Sequence, residues 1–254
     1  MVFAHYGGGA EADGPTGDSY AAVVIQVAGP PCTRGDVLGA LRQIRFSGWL
    51  AQPENGWLVA VAALGDGTVA AGRRGVVGVG EWLAGRLPVT VLAVRVLADR
   101  QLVLVLWADG DEVGRYVSDP SREPGADEDI LPDPLGARHA AAFAEVCGCP
   151  EAADDLAEVL AEELNPDSVI ESERLARVLR LLRLPTWLVA AATLPHDIPT
   201  GPRRRDLTRL GAGVPGVLGS LCGRAAHLVR RWRPPPPVVT DAPRGSSGID
   251  PWIM

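Results

Sequence analysis

The chain has 254 residues, 47% hydrophobic and 22% charged, with a formal net charge of −7. That length allows one large domain or two small ones, since domains typically hold about 100–150 residues, and the composition is that of an ordinary globular protein apart from 30 Gly and 22 Pro. All 24 basic residues are arginine, the usage expected of a GC-rich, actinobacterial-type genome, and a chain without lysine can carry no Walker-type phosphate loop.

The first 19 residues are rich in Gly, Ala and Asp and lack periodicity, which predicts a flexible leader. They have no basic start followed by an apolar core, and no apolar run reaches the ~18 residues of a spanning helix. The expected location is cytoplasmic, where four cysteines (Cys32, Cys147, Cys149, Cys222) would be reduced thiols.

Residues 21–27 are apolar and β-branched and read as the first strand. A Gly-Pro-Pro break follows, and Thr33 or Asp36 can cap a helix whose inner face carries Val37, Leu38, Leu41 and Ile44. Residues 46–51 and 56–64 are two apolar runs around Pro53-Glu54-Asn55-Gly56. Asn-Gly supports the positive φ of a tight hairpin. A glycine-containing helix is expected over 74–87, ended by Pro88.

Residues 89–119 contain two strongly apolar runs and an amphipathic one, separated by short polar turns: a β-meander. The order strand, helix, strand, strand, helix, strand is that of the ferredoxin-like split βαβ topology. The resemblance is to a topology and to no sequence family. Strands apolar on both faces need cover on both, so the C-terminal half is expected to pack on the second face.

Residues 120–134 form an acidic, Pro-rich loop. Asp127, Glu128, Asp129 and Asp133 supply oxygen atoms there without the spacing of a calcium loop. Helices follow over 135–147, 151–164 and 168–184, the last opened by a Ser168/Glu171 capping box. The second is crowded with acids. The third carries Arg174, Arg177, Arg180 and Arg183, either pairing with those acids, lying as one of two separately solvated faces, or presenting an arginine face to phosphate. Residues 197–209 read as a loop, 214–232 as an amphipathic helix, 234–237 as polyproline II and 238–254 as disordered. The chain thus divides into a leader (1–19), a sheet domain (20–119), the acidic loop (120–134), a helical region (135–210) and a basic, Pro-rich tail (211–254). Residues 1–199 carry a balance of −13 and residues 200–254 one of +6.

Chemistry is thinly signalled. His196-Asp197 is the best acid/base pair, because a carboxylate can orient an imidazole. Asp119, beside Tyr116 and Ser118 at a strand end, could join it in a hydrolase-like site. His139 has alanine neighbours and reads as a packing histidine. Cys147-Gly148-Cys149 lacks the second pair of a structural zinc site. Gly211-Ala212-Gly213-Val214-Pro215-Gly216 matches a dinucleotide fingerprint literally, but Pro215 removes an amide that should face phosphate. No cofactor and no metal site is expected.

The leading expectation is a non-enzymatic regulatory or interaction (adaptor) protein that meets a protein partner through Arg203, Arg204, Arg205, Arg230, Arg231, Trp232 and Arg233. Two alternatives stand beside it: an enzyme using Asp119, His196 and Asp197, and a peripheral membrane adaptor using residues 214–233 on anionic lipid. The basic density is too low for strong non-specific nucleic-acid binding.

Overall fold

A computed structural model describes residues 17–27, 32–64, 67–123, 126, 130–163, 170–198, 200–230 and 235–238. Its centre is one antiparallel, open, eight-stranded sheet in an α+β arrangement. The strands are β1 (Tyr20–Gln26), β2 (Gly48–Leu50), β3 (Trp57–Ala62), β4 (Val91–Leu97), β5 (Gln101–Ala108), β6 (Asp111–Val117), β7 (Thr208–Gly211) and β8 (Val214–Pro215). Their spatial order is β6-β5-β4-β1-β3-β2-β7-β8.

Alternation of side chains along each strand makes two cores out of one sheet. Val23, Ile25, Leu58, Ala60, Val103 and Val105 point to one face. There they meet Val37 and Leu41 of α1 (Arg34–Gln43) and Val79 and Leu83 of α2 (Val76–Ala84). Val24, Val59, Leu92, Val94, Leu104 and Leu106 point to the other. That face is covered by α3 (Ala140–Val146), α4 (Ala153–Ala161), α5 (Glu171–Leu181) and a 3-10 segment, Thr186–Thr193. The C-terminal half therefore supplies the cover that two apolar faces demand.

Local signals account for several of these elements. Thr33 accepts from the Asp36 amide while the Asp36 carboxylate accepts from the Thr33 amide, so both candidate caps serve together. These hydrogen bonds hold the Asp36 carboxyl below its ordinary pKa, the Thr33 side chain contributing most. Asn55 and Gly56 take φ of 49° and 81°, as the hairpin between β2 and β3 requires. Gly80 explains a glycine in the middle of α2: a Cβ there would lie 2.7 Å from the Trp107 ring of β5. Its absence lets the helix settle on the sheet.

The structure differs from the sequence reading in four places. The leader's last residues are tied down: Ser19 accepts from the Ala98 amide at 2.7 Å and the Asp18 carbonyl from the Asp99 amide at 2.8 Å. The long loop opens with a 3-10 turn at Pro120–Arg122, and Leu135, expected to begin a helix, instead bridges back to Val117. The α5 helix begins at Glu171 with no side-chain cap, and Ser168 lies outside the described residues. The segment expected to be a loop contains β7, paired with β2 from Gly48 to Leu50, and β7 turns directly into β8 through Ala212 and Gly213. The dinucleotide-like glycine pattern is this hairpin.

Leu104 sits at the centre of the meander and is fully buried. Leu104→Ala is expected to cost about 2–5 kcal/mol of unfolding free energy, the range for buried leucine truncation, as measured by urea denaturation.

Candidate functional site

The residues read as chemistry are each held in local structure. The Asp119 carboxylate accepts from the Ser121 amide at 3.0 Å and pairs with Arg122 at 2.8 Å, capping the turn after β6. Asp197 accepts from the Arg204 amide at 2.7 Å. His196 is exposed, next to Leu194 and Pro195, which line a hollow beside β2 and β7. Asp119 is thus engaged at the turn after β6 and Asp197 at the turn before β7, each by its own neighbours, and these contacts give the hydrolase-like arrangement no support.

The strand-end group is likewise structural. Burial pushes the Tyr116 hydroxyl well above its ordinary pKa, and Arg174 donates to it. The Ser118 hydroxyl accepts from the Leu102 amide at 2.9 Å. His139 places Nδ1 2.8 Å from the Arg115 carbonyl oxygen of β6. Cys147 and Cys149 are buried free thiols, with Cys147 pushed up to about 12 by burial. Among the described residues, no three His, Cys, Asp or Glu side chains gather as a metal site would require.

The arginine row of α5 resolves into pairs. Arg183 meets Glu151 at 2.7 Å and Arg177 meets Glu162 at 2.6 Å, both exposed. Arg174 turns inward. These contacts tie α5 to the acidic helix before it, while Arg180, exposed, donates to the Ala176 carbonyl of its own helix.

The remaining candidate is α6 (Gly216–Arg230), and its geometry is unusual. At 100° per residue, Gly219, Gly223 and Arg230 share one side of the helix, while Val217, Leu218, Leu221, Leu228 and Val229 share the other. The glycine side faces the protein. A Cβ on Gly219 would lie 1.9 Å from the Val214 carbonyl oxygen, and one on Gly211 would lie 1.6 Å from the Gly219 carbonyl oxygen. Backbone therefore rests on backbone along the edge strands.

Arg230 closes the contact, donating to the Ser47 hydroxyl at 3.1 Å and to the Arg45 carbonyl at 2.8 Å. Half burial lowers its pKa somewhat. Arg230, expected to reach outward to a partner, is instead a strut between tail and body. Arg203, Arg204 and Arg205 are exposed at a separate turn, and Arg231, Trp232 and Arg233 lie outside the described residues.

Residues 235–238 cross a second hollow at the start of α2. There the Val238 amide donates to Glu123 at 3.0 Å and its carbonyl accepts from Arg115. Part of the proline-rich run is thus also laid on the body.

Comparison with known proteins adds nothing to this geometry. No family model, no curated protein and no solved structure matches the chain.

What remains is the outward side of α6. Val217, Leu218, Leu221, Leu228 and Val229 are between 61% and 83% exposed, as one continuous stripe. Single exposed leucines are ordinary; five apolar side chains exposed on one helix face form a contiguous patch. The sequence announced the amphipathic helix and its apolar face but left open whether the tail docks on the acidic body or on another molecule. The signal that bears on this is the Gly219-x-x-x-Gly223 spacing, which allows close backbone approach on the non-apolar side.

Proposed function

We propose that this is a non-enzymatic cytoplasmic regulatory or interaction protein, an adaptor, that docks through the outward face of α6. The observation carrying this reading is the exposed five-residue apolar stripe on a helix seated by its opposite face. A helix that packed only for stability would bury its apolar side. The local capping roles of Asp119 and Asp197 support the non-enzymatic part of the reading.

The scaffold in this proposal is a ferredoxin-like split βαβ unit. The support is the antiparallel order β4-β1-β3-β2 with α1 and α2 on one face. The meander β4-β5-β6 extends it on one side and β7-β8 on the other, and this second extension places α6 at the edge of the molecule.

A photo-crosslinking amino acid at position 221, in the full chain expressed in its native host, tests the reading. A second copy of the experiment carries the crosslinker at Glu158, an exposed position of α4. Defined adducts, whether to protein or to lipid, are expected at 221 and not at 158. Equal yields at both positions, or none at either, would overturn the docking role of α6.

A further inference from the structure

We infer that the surface α6 docks on is an anionic lipid bilayer. This rests on the proposed docking role of the helix and names what the helix meets. The stripe has the form of an interfacial helix: 15 residues, about 22 Å long at 1.5 Å per residue, with one wholly apolar side. Among the described residues no helix is long and apolar enough to cross a membrane, so α6 would lie in the interface plane.

Charge selects the kind of surface. Residues 207–240 contain five arginines and no acidic residue, inside a protein whose net charge is −7. Arg224 is exposed and, at 100° per residue, borders the apolar stripe next to Val217 and Leu228. Arg42 and Arg45 are exposed at the end of α1 against which the β7-β8 turn and Arg230 rest. In sequence, Arg231, Trp232 and Arg233 follow the helix directly. Apolar side chains that enter the acyl boundary, flanked by guanidinium groups at headgroup level, match an anionic leaflet.

A second copy of the chain fits less well. The stripe is a single helix face about 22 Å long, bordered by charge of one sign. Antiparallel pairing about the middle of the stripe would also bring the two Arg224 side chains together, with no acidic residue in the segment to compensate. Interfaces select against such like-charge contact.

The test is vesicle sedimentation with the full chain. One set of vesicles contains 30% phosphatidylglycerol in phosphatidylcholine and the other phosphatidylcholine alone, both at low and at 0.5 M salt. Binding is expected to the anionic vesicles, weakened roughly tenfold by high salt, and nearly absent on the neutral ones. Leu221→Asp with Leu228→Asp should abolish it. Both side chains are solvent-exposed, so circular dichroism and the melting temperature should stay at wild-type values. Arg224→Glu alone should weaken binding severalfold.

Equal sedimentation with both vesicle types, or none with either, overturns the lipid assignment. Light scattering on the same samples separates the alternatives. A dimer lost in the double Asp variant would assign the face to a second copy, and a protein adduct at position 221 would assign it to a protein groove. In both cases the docking role stands while the lipid assignment falls. No adduct, no dimer and no vesicle binding would remove the docking role as well.

Discussion

Arg174→Met lowers the unfolding free energy by about 3–5 kcal/mol, the cost of breaking a buried ion pair from one side. Arg174 is 3% exposed. Its guanidinium donates to the Tyr116 hydroxyl and, at 2.5 Å, to the Glu162 carbonyl, and its Nε lies 3.4 Å from the Glu171 carboxylate. One side chain thus ties β6, the end of α4 and the start of α5 together under the second core. Methionine fills similar volume but leaves the Glu171 carboxylate buried without its cation and Tyr116 without its donor.

The loss should depend on pH with a definite sign. Burial raises the Glu171 pKa, against the opposing pull of Arg174 and the Ser118 hydroxyl. In the window between the ordinary ~4.3 and that raised value, native Glu171 retains a proton that the unfolded chain has released. Its contribution is therefore full below the unfolded pKa and lost as pH rises through the folded one. Removing Arg174 raises the folded pKa further. The deficit of Arg174→Met relative to wild type should be small near pH 4 and grow toward neutrality in urea titrations. Arg174→Met with Glu171→Gln should recover more than half of it and flatten the pH dependence. A deficit independent of pH would mean that Arg174 contributes by packing alone.

That cluster also shows where the sequence was readable and where it was not. The short apolar runs between polar turns through residues 20–117, the Asn55-Gly56 turn and the Thr33/Asp36 cap are local patterns with one physical solution each, and the elements form where those patterns lie. Opposite charges on α4 and α5 were visible as well. Which arginine would turn inward was harder to read, because four arginines at three-residue spacing drift around a helix of 3.6 residues per turn. Arg174 falls on the side of Leu175 and Val178, beside Glu171, and that shared stripe was the available clue. β7 and β8 are four and two residues long, too short for alternation to register. They exist because Gly48 to Leu50 offers β7 a free edge. The acid/base candidates were no easier to read: adjacency in sequence and position at a strand end say nothing about which neighbouring amides and guanidinium groups will engage the carboxylates.

Gly211→Val should unseat α6 while the rest of the sheet stays folded. The added Cβ would lie 1.6 Å from the Gly219 carbonyl oxygen, 2.4 Å from its carbon and 3.0 Å from the Gly223 nitrogen. All three are backbone atoms, so no rotamer change can yield, and the helix must lift away. Lifting breaks the Arg230 hydrogen bonds to Ser47 and Arg45 and frays β7 from β8, for a global cost of about 1–3 kcal/mol. Off the body, α6 is 15 residues with glycines at 216, 219 and 223, each costing up to ~1 kcal/mol against alanine, and it is too short to persist alone in water. Hydrogen exchange should show amides 217–230 near the unfolded rate and β1, β3, β4 and β5 still protected.

The same variant separates two ways in which the apolar stripe could act. A protein groove needs the stripe presented rigidly, and its affinity should fall steeply when the helix must first fold. An anionic bilayer can refold an unseated amphipathic segment at its surface, because the interface itself buries the apolar side. Vesicle binding by Gly211→Val should therefore survive with a modest loss, whereas the double Asp variant should lose it. If Gly211→Val abolishes vesicle binding as completely as the Asp variant does, the body must hold the helix for the contact to form, and the exposed arginines of α1 would be the next residues to reverse.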